Sequence, residues 1–189
     1  MIAEIASEAF MPLAYGGGIN SVDKIKSIFN TGVEKVVINT AAINQKLITQ
    51  ATNMFGNQSI VVSIDVKKNI FDKYLVHTNS GTNNTKLSPV QFALDMQNAG
   101  AGEIFLNSID RDGTYSGYDL ELIKQVTNAV SIPVIACGGA SDVNDFAEAV
   151  KHGASAVSAG SMFVFYGTEK GVLINFPSQD ELKKNFIVQ

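Results

Sequence analysis

Two stretches decide the fold: MPLAYGGGINSVDKIKSIFNTGVEKVVINTAA (Met11 to Ala42) and IPVIACGGASDVNDFAEAVKHGASAVSAGSMF (Ile132 to Phe163) align without a gap. Pro12 falls on Pro133, an offset of 121 positions. Each copy reads as a strand, a Gly-Gly turn, a helix, a glycine and a second strand. We interpret this as an internal repeat, because self-similarity at a fixed offset is typical of repeated supersecondary units. Chance similarity between two βα units of any parallel-sheet protein is the alternative.

Short β-branched runs alternate with helical patterns along the whole chain, which is typical of βαβ units and a parallel sheet. Helix start signals support this, such as Ser21 and Asp142 before the helical segments of the two repeats. A further run, Tyr74 to Asn79, predicts a hairpin beside the main sheet. Six core strands are predicted: Met11 to Tyr15, Lys35 to Ile38, Ile60 to Ile64, Glu103 to Asn107, Val134 to Cys137 and Ala156 to Ala159.

The size of the repeat predicts an α/β fold of the (β/α)₈ TIM-barrel class. Two halves of roughly 120 residues approach the ~250 residues of a typical eight-stranded barrel, whereas the chain has 189. We therefore expect a single domain over 1–189 that is incomplete at its N-terminus. About six of eight core strands are present, and the first two strands lie before Met1. Ile2 to Phe10 is then the tail of a helix whose strand is absent.

Composition excludes several classes of function. A formal charge of −4 and a pI near 5.1 offer no basic stripe for nucleic acid. One cysteine, Cys137, excludes an internal disulfide framework and fits a cytoplasmic protein. No segment resembles a signal peptide or is apolar for long enough to cross a membrane. The two histidines, His77 and His152, lack metal-ligand spacing, so we expect no metal and no cofactor.

Glycine pairs follow the first strand of each repeat and precede a helix. Active sites of such barrels lie at the carboxyl ends of the strands. Backbone N–H groups at Gly18 and Gly139 can approach an anion closely there, and the helix N-terminus favours negative charge. Either pair taken alone could be only a tight turn. Their matching positions predict two phosphate sites on opposite sides of one mouth, and hence a substrate with a phosphate at each end.

Carboxylates also follow strands at this mouth. Asp65 ends the run Ile60 to Ile64, where partial burial can raise the pKa of a carboxyl group enough for acid–base catalysis. A loop cap is the alternative for Asp65. For Asp110, we favour an ion pair with Arg111 or a turn cap over catalysis.

The motifs AYGGGI, INTAA, IDVKK, SGTNNT, GAGEI, NSIDRDGTYSGYD, IPVIACGGA and AGSMF are similar, in order and spacing, to those of the cyclase subunit of imidazole glycerol phosphate synthase. The similarity runs from about Phe10 to Phe163. It implies a lyase of histidine biosynthesis that takes ammonia from a glutaminase partner in a heterodimeric glutamine amidotransferase complex. The implied substrate is a bisphosphorylated formimino aminoimidazole carboxamide ribotide (formimino-AICAR ribotide), converted to imidazole glycerol phosphate and AICAR.

The resemblance also implies roles for individual residues, carried over by position. Asp65 corresponds to the catalytic aspartate of the second half. Lys35 and Glu103 match charged residues at the opposite mouth, where the family admits ammonia; a structural salt bridge is the alternative. The implied substrate- and phosphate-binding residues are Gly18, Asn39, Thr40, Ser80, Gly81, Asn107, Asp112, Gly113, Gly139, Gly160 and Ser161.

Three departures from the family pattern leave other readings open. The family's other catalytic aspartate would lie 121 positions before Asp65, ahead of Met1. Asn107 and Cys137 stand where hydroxyl residues are expected. The ending FVFYGTEKGVLINFPSQDELKKNF (163–186) resembles a cyclase-like paralogue that forms amidino groups on surface-polysaccharide sugars with a glutaminase-like partner. The alternatives to the cyclase are therefore this amidotransferase subunit and an inactive truncated fragment.

Overall fold

The computed structural model describes residues 2–166 and 171–186. The strands are β1 (Ala14–Gly16), β2 (Lys35–Ile38), β3 (Ile60–Lys68), β4 (Tyr74–Thr78), β5 (Asn83–Asn84), β6 (Glu103–Ser108), β7 (Val134–Cys137), β8 (Ala156–Ser158), β9 (Phe165–Tyr166) and β10 (Gly171–Val172). The helices are α1 (Ile2–Glu8), α2 (Val22–Phe29), α3 (Gln45–Phe55), α4 (Pro89–Asn98), α5 (Leu120–Thr127), α6 (Val143–Lys151), α7 (Ser161–Val164) and α8 (Gln179–Phe186). Short 3₁₀ turns span Thr40–Ile43 and Asn57–Ser59.

Six strands form one parallel sheet in the order β1-β2-β3-β6-β7-β8, which confirms the predicted α/β class. The sheet is curled into a half-barrel, and helices alternate with its strands. The predicted hairpin is also confirmed, because β4 pairs antiparallel with the end of β3. Among the described residues, β1 and β8 each have one strand neighbour, so the sheet has two edges.

The core lies between the sheet and its helices. Alternate strand residues face the helices and are buried, as Val36, Ile64 and Ile104 show with no exposed surface. Helix starts follow the predicted caps: the Ser21 side chain accepts from the Lys24 amide, and Asp142 forms a capping box with Asp145. The intervening strand residues face the inside of the half-barrel, where the chemistry-bearing side chains lie.

The two largest departures from the predicted strand boundaries are in β1 and β3, whereas β6 and β8 each differ by one residue. β1 begins at Ala14 rather than Met11, since Met11 is exposed and Pro12 has no amide hydrogen to donate to a ladder. β3 continues to Lys68 rather than ending at Ile64, because its last four residues pair with β4. Of the distinctive C-terminal stretch 163–186, positions 167–170 lie outside the described residues. No helix in the described ranges is both long and apolar enough to cross a membrane.

Candidate functional site

A cavity of about 640 Å³ opens at the carboxyl ends of β1, β2 and β3. It brings together five residues that the sequence singled out: Gly18, Asn39, Thr40, Asp65 and Ser80. Strand order explains this grouping, since three parallel neighbours present their carboxyl ends at the same edge of the sheet. The cavity therefore contains one glycine turn and the candidate acid–base group.

Hydrogen bonds connect the chain segments that line this first cavity. The Asn79 amide donates to Thr40 Oγ1 at 3.1 Å, which ties the loop after β4 to the end of β2. Asn39 Nδ2 donates to Ser63 Oγ at 3.2 Å on β3. Gly18 has a φ of +64°, and a Cβ built there has no heavy atom within 4 Å. Its amide region is therefore open, as an anion-binding turn requires.

A second, smaller cavity lies at the carboxyl ends of β7 and β8. It lies between the loop after β6 and the second glycine turn. Five of the predicted substrate- and phosphate-binding residues line it: Asp112, Gly113, Gly139, Gly160 and Ser161. The loop 109–118 is fastened over this cavity by a Gly117 N–H bond to the Gly139 carbonyl at 2.8 Å. Tyr118 donates its hydroxyl to the Ser158 carbonyl at 2.9 Å.

Asp65 lines the first cavity from the inner face of β3, the strand of that cavity nearest to β7 and β8 in the sheet. Asn107 Nδ2 of β6 donates to Asp65 Oδ1 at 3.1 Å, whereas Asn107 Oδ1 is buried without a hydrogen-bond partner. Cys137 of β7 pairs in register with Asn107. Burial raises the pKa of the Cys137 thiol to about 11, so this side chain is a neutral thiol at pH 7.

Asp110 has a capping role, one of the two structural roles that we favoured over catalysis. Its Oδ2 accepts from the Lys68 amide at 2.9 Å and so caps the end of β3, rather than pairing with Arg111. Arg111 donates to the carbonyls of the loop at positions 116 and 117, and its Nε lies 3.8 Å from Asp119. Asp119 also accepts the Tyr74 hydroxyl at 2.7 Å, and burial together with this acceptor raises the pKa of Tyr74. This network joins the hairpin to the start of α5.

Lys35 and Glu103 form an ion pair at the opposite end of the sheet. They are the first residues of β2 and β6, the two neighbours of β3, and both project towards the inner face. Both side chains retain partial exposure, 35% and 20%. The two predicted entrance residues are therefore adjacent, at the amino-terminal mouth of the half-barrel.

Gly81 lies apart from both cavities. A Cβ at this position would stand 3.2 Å from Lys67 Nζ and 3.0 Å from the Ile109 side chain, so the glycine lets the loop after β4 pass close to β3 and β6. Its neighbour Ser80 lines the first cavity. The predicted pair Ser80-Gly81 is thus placed over the mouth, with only Ser80 facing the space where a ligand would lie.

Sequence reasoning missed one residue beside Asp65. His77 was considered only as a metal ligand, yet the pairing of β3 with β4 places it directly opposite Asp65. The predicted hairpin carried this signal, because its register sets which residue faces the aspartate. Burial, followed by the charge of Lys67, lowers the pKa of His77.

Comparison with known proteins gives consistent matches. The family model described as histidine biosynthesis protein matches residues 1–169. The chain is 46% identical over 184 residues to hisF2 of Pseudomonas aeruginosa, which is named only provisionally as an imidazole glycerol phosphate synthase subunit; the match covers 96% of this chain and 73% of that protein. It is 47% identical over 161 residues to imidazole glycerol phosphate synthase subunit HisF of Sulfurisphaera tokodaii, covering 85% of this chain and 64% of the relative. The corresponding HisF of Chlorobium phaeovibrioides is 45% identical over 166 residues, 87% and 66% of the two chains.

Proposed function

Because the chain belongs to the histidine biosynthesis protein family, we propose that it is the cyclase subunit of imidazole glycerol phosphate synthase. Its substrate is the bisphosphorylated formimino-AICAR ribotide, which ammonia converts to imidazole glycerol phosphate and AICAR. The reaction class is that of a lyase coupled to a glutamine amidotransferase.

The observation that carries the proposal is the pair of glycine-turn cavities, the first of which is lined by Asp65. A substrate with a phosphate at each end can bind one phosphate near Gly18 and Thr40, and the other near Gly139 and Ser161. Backbone N–H groups bind phosphate without any requirement for net positive charge, which suits an acidic chain. The middle of the substrate then lies over Asp65.

Asp65 supplies the acid–base chemistry in this proposal. Its carboxylate moves protons during ammonia addition and ring closure, while the Asn107 amide fixes the orientation of one carboxylate oxygen. Such positioned proton transfer commonly contributes ~10²- to 10⁴-fold in rate. Asn107 has a second role available, because its unpaired Oδ1 can accept from a substrate that reorganises the site.

Ammonia enters from the other end of the half-barrel in this scheme. The Lys35–Glu103 ion pair stands at the amino-terminal mouth, and a glutaminase subunit docked there would release ammonia towards the inner face. A purely structural salt bridge is the simpler alternative. The entrance role and the structural role predict different effects of removing the ion pair. Only an entrance role reduces glutamine-dependent turnover more than ammonium-dependent turnover.

We also propose that the working barrel is closed between β8 and β1 by two further βα units, which make a single (β/α)₈ domain. The support is the two sheet edges together with the gapless repeat, whose halves are each a four-strand unit in an eight-strand barrel. The second catalytic aspartate of the family would come from the first of these added strands.

Turnover of the formimino-AICAR ribotide with ammonium chloride tests the proposal directly. We expect AICAR release in the chain supplemented with the N-terminal βα units, and loss of that release in the Asp65→Asn variant. An amidino product from a polysaccharide sugar, with no AICAR formed, would instead identify the paralogous amidotransferase activity. Tight binding of the ribotide with no turnover of either substrate would identify an inactive fragment.

A further inference from the structure

His77 is a second polar neighbour of Asp65 in the sheet, on the side away from Asn107. The two residues oppose each other in the antiparallel pairing of β4 with β3. Directly opposed residues project from the same face of the sheet, with Cβ atoms ~4.5–5.5 Å apart. The imidazole therefore stands beside the carboxylate on the inner face, and only 9% of the residue is exposed.

The two ring nitrogens of His77 have different surroundings. Nδ1 is buried and has no hydrogen-bond partner, whereas Nε2 is not one of the buried atoms without a partner. A buried N–H without an acceptor is rarer in proteins than an under-satisfied acceptor, so Nδ1 carries the lone pair and Nε2 carries the proton. Burial and Lys67 lower the pKa of His77 and outweigh Asp110 and Asp65, which act in the opposite direction. The ring is therefore a neutral donor.

A histidine with a purely structural role is expected to have a hydrogen-bond partner within the protein. His152, the only other histidine in the chain, places its Nδ1 2.8 Å from the Glu148 carbonyl at the end of α6, as a helix-capping imidazole does. His77 has no such partner, although unpaired buried polar atoms are uncommon and destabilise the folded state. The contacts of the imidazole within the protein therefore do not account for its place beside the site.

We propose that His77 contacts the substrate, donating its Nε2–H to an oxygen or nitrogen acceptor that lies next to Asp65. The assignment rests on the proposed function, because it requires a ligand whose middle lies over Asp65. It gives the inner face a carboxylate that accepts protons and a neutral imidazole that donates a hydrogen bond, held side by side by the register of one hairpin.

Nitrogen NMR of protein labelled with ¹⁵N tests the contact, because the chain contains just two imidazoles. With imidazole glycerol phosphate as the probe, we expect the Nε2 resonance of His77 to move and that of His152 to stay unchanged. Movement of the Gly18 or the Gly139 amide with no change at His77 would overturn this assignment and leave the proposed function intact. No ligand-induced change at any of these positions would overturn both.

Three variants separate contact from packing. In His77→Gln the side-chain amide nitrogen can reach the Nε2 position, whereas in His77→Asn it reaches only the Nδ1 position. We expect His77→Asn and His77→Phe to weaken binding of imidazole glycerol phosphate by roughly threefold to tenfold, and His77→Gln to restore most of it. The phenyl variant should melt no lower than the parent, because it removes the unpaired Nδ1. Equal affinity in the His77→Phe and parent proteins would refute the contact.

Discussion

Replacing Gly139 with alanine should loosen the loop that closes the second anion cavity. Gly139 has a φ of +104°, and an added Cβ would stand 2.2 Å from the Gly117 carbonyl oxygen and 3.1 Å from the Arg111 Cβ. The nearest obstacle is backbone, so no side-chain rotation relieves the clash. The loop 109–118 must move instead, and with it Asp112 and Gly113.

The expected loss of stability follows from two contributions. A non-glycine residue held at this kind of φ costs about 1–3 kcal/mol. Displacing the loop also breaks the Gly117–Gly139 backbone hydrogen bond, which is worth about 0.5–1.5 kcal/mol. Together these give about 2–4 kcal/mol. For a chain of this size we expect the melting temperature to fall by roughly 5–15 °C.

Gly160→Ala is the matched control, because it adds the same methyl group to the same cavity without strain. Gly160 has a φ of −110°, and a Cβ there meets no atom within 4 Å. We expect its melting temperature to change by only a few degrees, in the stabilising direction. Calorimetry measures the melting temperature, and titration with inorganic phosphate measures the affinity of each variant for the anion. Equal melting temperatures for the two variants would refute the reasoning from the loop contact.

The remaining predictions concern Asp65, the Lys35–Glu103 ion pair and Cys137. Asp65→Asn should lower ammonium-dependent turnover by about 10²- to 10⁴-fold while the melting temperature changes little, and a loss below about tenfold would contradict an acid–base role. Lys35→Met combined with Glu103→Leu should reduce glutamine-dependent turnover in the complex more than ammonium-dependent turnover; an equal reduction would assign the ion pair a structural role. Cys137 should react slowly with iodoacetamide at pH 8 and faster as pH rises towards its pKa of about 11. Because the folded state holds this thiol proton more tightly than the unfolded state, Cys137 should lower stability above about pH 9, and Cys137→Ala should remove that part of the pH dependence.

Several features of the fold could be predicted because their signals are local. β2 and β7 begin and end at the predicted residues, since each is a β-branched run bounded by turn residues. The gapless repeat identified both glycine turns. Because the carboxyl ends of parallel strands lie at the same edge of a sheet, the sequence also predicted that residues near the ends of neighbouring strands would lie close together. Asp65, Gly18 and Thr40 therefore line one cavity, as their positions after three strands indicate.

The contacts that complete the site depend on sheet order and loop packing, which no local pattern contains. His77 faces Asp65 only because β4 folds back on an extended β3 with one register, and a shift of one residue would turn the imidazole to the other face. Asp110 caps β3 through an amide 42 positions away. Position 139 requires a glycine because the loop after β6 packs against it. Composition and periodicity specify which elements form, whereas the hydrogen bonds between distant segments are decided by how those elements pack.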